Sequence, residues 1–436
     1  MAENYQWERH PLAEQLLLGY LDRFCETNST LSELKDELLH ATSTRLFDWI
    51  DHLSVEESEA PQLKRVGFER DEFGSFYHPG ALFPRVVVGQ PRYGVAVGVE
   101  KISDFLLARG IHRHIEGSPE SGYRSCLVDL QECGFWVVER RGTWTMSPTV
   151  EPTEYLARVV ECTERWKSRS RSDMEATIQL ARELAAEIGA DRAAWIVLEV
   201  ERQYWQTRNR AAQVQKARQD LLGMGWANHD HHTFRSSRRY FRRLVELFEI
   251  LGFHCRERFY AGEEAGWGAQ VMENSRCNAV LFLDVDLDPH ELQIDFAHQE
   301  LPEVEHFGTI GLWCELHGDS ILEAGMHHLE AQFMFDELKE DLSDRGVGMM
   351  DPFSDFPFLR QAFTQGEQWK VDRARIESLL RRNLIEQEEA DQFAHCGAVG
   401  SHLENLQRRD GYKGFNQKNV SVIIKKTDPR TLDPRL

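Results

Sequence analysis

What most constrains this chain is a repeated change of texture. Two stretches of short β-type runs punctuated by Gly and Pro, from Tyr77 to Trp144 and from Asn228 to His317, flank roughly 90 residues of helical periodicity almost free of both. In the first stretch, Tyr93 to Val99 reads as a strand and Lys101 to Arg109 as a helix, followed by strand-like runs at Ile111 to Glu116, Tyr123 to Leu130 and Phe135 to Arg140. The second repeats that order. Asp230 to Arg235 is a strand. Arg238 to Leu251 is an amphipathic helix with Phe241, Leu244, Val245, Phe248 and Leu251 on one face, ended by Gly252. Strands follow at His254 to Tyr260, Gly268 to Met272 and Ala279 to Asp286, with a further run at Gly308 to His317.

The reading is an α+β chain with two βαβββ modules. A helical N-terminal region (1–70) precedes the first module (71–146). A helical insertion (147–227) separates it from the second (228–320), and a mainly helical C-terminal region (321–436) follows, with a last strand expected at Val420 to Lys425.

Charge and cysteine usage narrow the setting. A formal charge of −21 opposes binding to phosphate backbones and anionic lipid, so neither nucleic acid nor a membrane surface is an expected partner. No run reaches the ~18 to 20 apolar residues of a membrane span, and Met1 to Tyr20 lacks a basic segment feeding an apolar core. The eight cysteines are scattered without a CxxC pair, which fits a reducing cytoplasm and indicates neither a disulfide framework nor a thiolate zinc site.

Histidine carries the chemistry. The 18 copies concentrate around the second module, most tightly at His229-Asp230-His231-His232. On a strand, His229 and His231 face one way and Asp230 and His232 the other, so one histidine meeting a carboxylate from another strand is the arrangement that suits a divalent metal. Gly311-Leu312-Trp313-Cys314-Glu315-Leu316-His317-Gly318, read as a strand, puts Glu315 and His317 on one face. A carboxylate in so apolar a run calls for a partner or an ion. His327-His328 can contribute one further ligand or proton carrier. Ser401-His402-Leu403-Glu404 offers another His and Glu on one face if extended. Nucleoside-phosphate loops, the GxSxG elbow and HExxH are absent.

Paired βαβββ modules with ligand candidates on strands resemble the vicinal oxygen chelate superfamily. The helical segment between them is similar to that of the 2-oxoadipate dioxygenase/decarboxylase family, whose second module opens on an Asn-His-Leu-Thr-Pro-Arg-like strand. Here Asp230-His231-His232-Thr233-Phe234-Arg235 keeps the H-x-T-x-R skeleton. The resemblance implies a cup around one ion, with His231 as a metal histidine and Glu315 as the carboxylate. The family's first-module histidine aligns with Tyr93, or with His78 through His78-Pro79-Gly80-Ala81. The third ligand is then His78, His317 or His328, or no metal is held.

The implied function is a mononuclear metal enzyme. Fe(II) is the leading ion, with Mn or Zn as alternatives, and the expected activity is that of a dioxygenase or decarboxylase on a small 2-oxo or 2-hydroxy acid. Arg235 would pair with a remote substrate carboxylate and His328 would act in catalysis. The other reading is a non-catalytic ligand- or protein-binding module on the same cup.

Overall fold

The computed structural model describes residues 7–72, 74–145, 148, 150–263, 265–304, 306–416 and 427–430; the strand expected at Val420 to Lys425 lies outside them. Helices α1 (Pro11–Thr27) and α2 (Ser29–Thr42) form an N-terminal hairpin whose turn is capped by Asn28, its side chain accepting from the Leu31 amide at 3.0 Å. Leu17, Tyr20, Leu31, Leu34 and Leu38 on this hairpin pack against the first sheet.

That sheet contains β1 (Ile50–Val55), then after α3 (Ala60–Arg65) come β2 (Glu69–Arg70), β3 (Phe76–Tyr77) and β4 (Arg85–Val88). Next come β5 (Gly94–Gly98) and, after α4 (Ile102–Ala108), β6 (Tyr123–Leu130) and β7 (Gly134–Arg140). The spatial order is β2-β3-β4-β1-β5-β7-β6. Strand β1 falls inside the stretch expected to be helical, because Ile50-Asp51-His52-Leu53-Ser54-Val55 carries a bulge opposite β5 that blurs its alternation. The run expected as a strand at Ile111 to Glu116 contributes a single bridge, Glu116 to Ser125.

Four helices follow, α5 (Thr153–Lys167), α6 (Met174–Ile188), α7 (Ala190–Gln206) and α8 (Arg210–Leu221), in the segment expected to be helical. The second sheet opens with β8 (His229–Arg235), α9 (Arg238–Ile250), β9 (His254–Tyr260), β10 (Trp267–Asn274) and β11 (Ala279–Asp286). After helix α10 (Thr309–His317) it continues with β12 (His328–Ala331), α11 (Phe335–Ser343), β13 (Ser354–Phe356), β14 (Leu359–Phe363), β15 (Glu367–Trp369), α12 (Arg373–Arg381), α13 (Gln387–Cys396) and β16 (Ala398–Arg408). The order is β13-β14-β16-β12-β8-β11-β10-β9, with β15 on β16.

Two sequence expectations are corrected here. The run Gly308 to His317 is a helix, not a strand. Leu312 and Leu316 bury against α12 and α13, while Ile310, Trp313 and Cys314 bury against the sheet, so both faces are apolar and no strand alternation exists to read. The Asp286 carboxylate fixes its first turn, accepting from the amides of Ile310 (2.9 Å) and Gly311 (2.8 Å). The C-terminal region, expected to be mainly helical, supplies five of the nine strands of this sheet.

One face of the second sheet packs Phe234, Leu281, Leu283, Leu329 and Leu403 against the helical layer of α5, α6, α7 and α9. The alternate residues line an inner face covered by α10, Trp369 and Phe415. No helix among the described residues is long and apolar enough to cross a membrane.

Candidate metal centre

The inner face owes its chemistry to register. Strand β12 runs antiparallel to β8 and parallel to β16, which aligns His231, Glu330 and Glu404 in one row and Thr233, His328 and His402 in the next. The tripeptide His-Leu-Glu occurs twice, at His328-Leu329-Glu330 and His402-Leu403-Glu404, and the two copies pair residue for residue. Both leucines point to the helical layer and both His/Glu pairs to the inner face.

Four donors converge. One ligand atom from each of His231, His328, Glu330 and Glu404 lies within 4.8 Å of the others. His328 Nε2 stands 3.4 Å from Glu330 Oε1 and 3.3 Å from Glu404 Oε2, and His231 Nε2 faces Glu330 Oε1 directly. All four side chains are buried. Outer partners fix two of them. Asp230 Oδ1 lies 3.0 Å from His231 Nδ1 and is itself held by Arg408 at 3.2 and 3.3 Å, so Nε2 is the nitrogen presented to the cluster. Gln361 Nε2 donates to Glu404 Oε1 at 3.2 Å.

Burial sets the protonation. It pushes His231 down to about 4 and His328 well below the usual imidazole range, so both rings are neutral. Burial, reinforced by the neighbouring carboxyl, pushes Glu330 well up, and burial raises Glu404 to about 8. Neutral imidazoles beside carboxyls that lack a cation are the donor set a divalent ion needs, and Glu330 Oε2 and His328 Nδ1 remain unpaired among the described residues.

A pseudo-two-fold relates the halves of the sheet. Ser237, the N-cap of α9, follows His231 by six residues, and Met334, the N-cap of α11, follows His328 by the same six. In each half the first strand runs parallel to the last, and two residues beyond the histidine the partners are Thr233 with Phe282 and Glu330 with Glu404. His231 and His328 are therefore mates, and Phe282 occupies the corner matching Glu404.

Of the residues singled out in the sequence, the structure brings His231 and His328 together and places Arg235 on the same inner face. The others lie elsewhere. Glu315 sits on the outer side of α10, 2.8 Å from Arg382, because the run is helical. His317 packs between Trp313 and Trp369 at ring distances of 5.5 and 5.3 Å. His78 belongs to the first-sheet side, against His10, Phe68 and Phe83. A bulge at Asp230 also breaks the expected alternation, turning His229 toward His232 (5.1 Å between rings) and away from His231. Glu330 and Glu404 supply the carboxylates instead, and the doubled His-Leu-Glu is the signal that marks them.

No family model matches the sequence. No curated protein matches it either. Among solved structures, a triply substituted 4-hydroxymandelate synthase from Streptomyces coelicolor is similar over 76% of this chain and 95% of its own, at 13% identity and a TM-score of 0.31. Methylmalonyl-CoA epimerase from Mycobacterium tuberculosis is similar over 42% and 89%, at 12% identity and a TM-score of 0.24. These are partial likenesses of backbone, and the chemistry rests on this chain's own side chains.

Proposed function

We propose that the chain is a mononuclear metal enzyme of vicinal oxygen chelate type, with His231, His328 and Glu404 as a facial triad and Fe(II) as the leading ion. The observation that carries this reading is the pseudo-two-fold: mated histidines from two first strands, one carboxylate from a last strand, and an apolar residue, Phe282, in the fourth corner. Glu330 stands within reach of the same ion.

When bound, such an ion supplies Lewis acidity and open positions for a chelating acid and for O₂. The protein's own residues do the rest. Asp230, braced by Arg408, holds the His231 ring so that only Nε2 is presented, and Gln361 steers Glu404. Phe282, tilted against the His231 ring at 4.6 Å and edge-on to Phe415 at 4.6 Å, lines that side with hydrocarbon. Arg235, without a hydrogen-bond partner at Nε or Nη1 among the described residues, offers its fork to a substrate end away from the ion. The substrate class is a small 2-oxo or 2-hydroxy acid, and no nucleic acid or membrane partner is invoked.

The test is elemental analysis after anaerobic reconstitution with Fe(II). About one equivalent is expected in the wild type and well under a tenth of that in His231→Ala or His328→Ala. Equal metal in all three proteins would refute the assignment.

A further inference from the structure

Beyond the metal row, the inner face holds a second polar pair that the metal does not explain. Arg235 on β8 and Asp284 on β11 are in-register neighbours on parallel strands, and only 4% and 3% exposed. Arg235 Nε and Nη1 and Asp284 Oδ1 are buried without a hydrogen-bond partner among the described residues, and burial pushes Asp284 up to about 7. Burying a guanidinium and a carboxyl without partners is costly, whereas closing them on one another would recover much of that cost. The side chains stand apart, with the Trp313 ring 5.4 Å from the guanidinium forming one wall.

The position suits the far end of a substrate. Arg235 lies two residues beyond the Thr233–His328–His402 row, about 7 Å along the strand, which matches a chain of roughly five carbons with its first two on the ion. Its charge reaches His317, His327, His328 and His402, so it borders the metal row and not the surface.

The pair also selects what that end can be. A methyl would leave every one of these atoms unfilled. Above about pH 7, where Asp284 is ionised, a carboxylate would fit the guanidinium but set a second negative charge against Asp284. A carboxamide satisfies both, its carbonyl accepting from Arg235 and its NH₂ donating to Asp284. We propose that Arg235 and Asp284 together read the distal group of the substrate, and that this group is a carboxamide. The proposal rests on the metal reading above for the other end of the molecule.

Titration calorimetry of the Fe(II)-loaded protein at pH 8 without O₂ tests it, using 2-hydroxyglutaramate, 2-hydroxyglutarate and 2-hydroxypentanoate, which share a chelating end and chain length and differ only at the far group. The amide should bind about tenfold tighter than either of the others. Asp284→Asn should close the gap by improving the carboxylate-ended ligand about tenfold, while Arg235→Gln should bring all three to similar affinity. A wild-type ranking with the carboxylate first, or three equal affinities, overturns the carboxamide assignment and leaves the metal reading standing. Failure to take up iron overturns the metal reading. The distal pocket is then decided by ligand-observed NMR on the metal-free protein, where butanamide binding above butanoate supports it and the reverse or no binding sinks it.

Discussion

Glu404 and Glu330 share a row but not a role. Glu404 is steered by Gln361 and mirrors Phe282 across the pseudo-two-fold, whereas Glu330 is the mate of Thr233. Glu404→Gln preserves volume and removes the charge that offsets a dication, so metal affinity should fall by at least about an order of magnitude, roughly 1.4 kcal/mol. Glu330→Gln should cost less, and a chelator competition titration ranks the two. Glu315→Gln should leave metal content unchanged and alter stability by no more than about 1 kcal/mol, since it removes only a half-exposed ion pair with Arg382. The raised carboxyls also give a pH signature. Their folded values lie above their unfolded ones, so their contribution to the stability of the metal-free protein is fully present below the ordinary carboxyl range and is lost as pH rises towards about 8. An ion replaces those protons, so melting temperatures measured with and without metal should diverge as pH climbs from 5 to 8.

At the scale of elements, legibility followed periodicity. The β-α-β-β-β order from His229 to Asp286 was readable because α9 shows a clean apolar stripe between alternating strands, and His231 stood out within its cluster. Helix α10 was not readable as a helix, since a short run buried on both sides has no polar face to set its period. That misassignment put Glu315 in the role proposed for Glu404 and hid the second half of the sheet. Strand β12 is only four residues long, and the ladder that gives His328 and Glu330 their meaning comes from β16, some 70 residues later, a pairing no local pattern encodes. Trp313 anchors α10 from within: it is fully buried, and its indole donates to the Gly400 carbonyl at 3.0 Å. Trp313→Ala should lower unfolding free energy by about 3–5 kcal/mol, read from the denaturant midpoint. His232→Leu is the complementary case. His232 faces the helical layer beside Arg202 (3.4 Å), so its replacement should leave metal stoichiometry intact.

The whole molecule is built as two sheets, each with a strand–helix–strand plan repeated about a central antiparallel pair, β1 with β5 and β8 with β12. Among the described residues, the proposed ligands sit in the second. Its inner face is complete only when β12 and β16 are present, so a chain ending at residue 320 would leave β8 as an exposed edge and the cluster with His231 alone. Such a truncation should bind no metal and should aggregate on size-exclusion chromatography, even though it retains all of the β-α-β-β-β unit that the sequence makes legible.

The central placement of β8, β12 and β16 also determines how time enters. With β11 on one flank and β14 on the other, none of the three ligand strands can fray from an edge, and the donors they carry are the last groups a local opening would release. A bound ion would consequently be held by strands that open together, and its half-life against a chelator too large to enter the site should track the unfolding rate of the protein and not the chelator concentration.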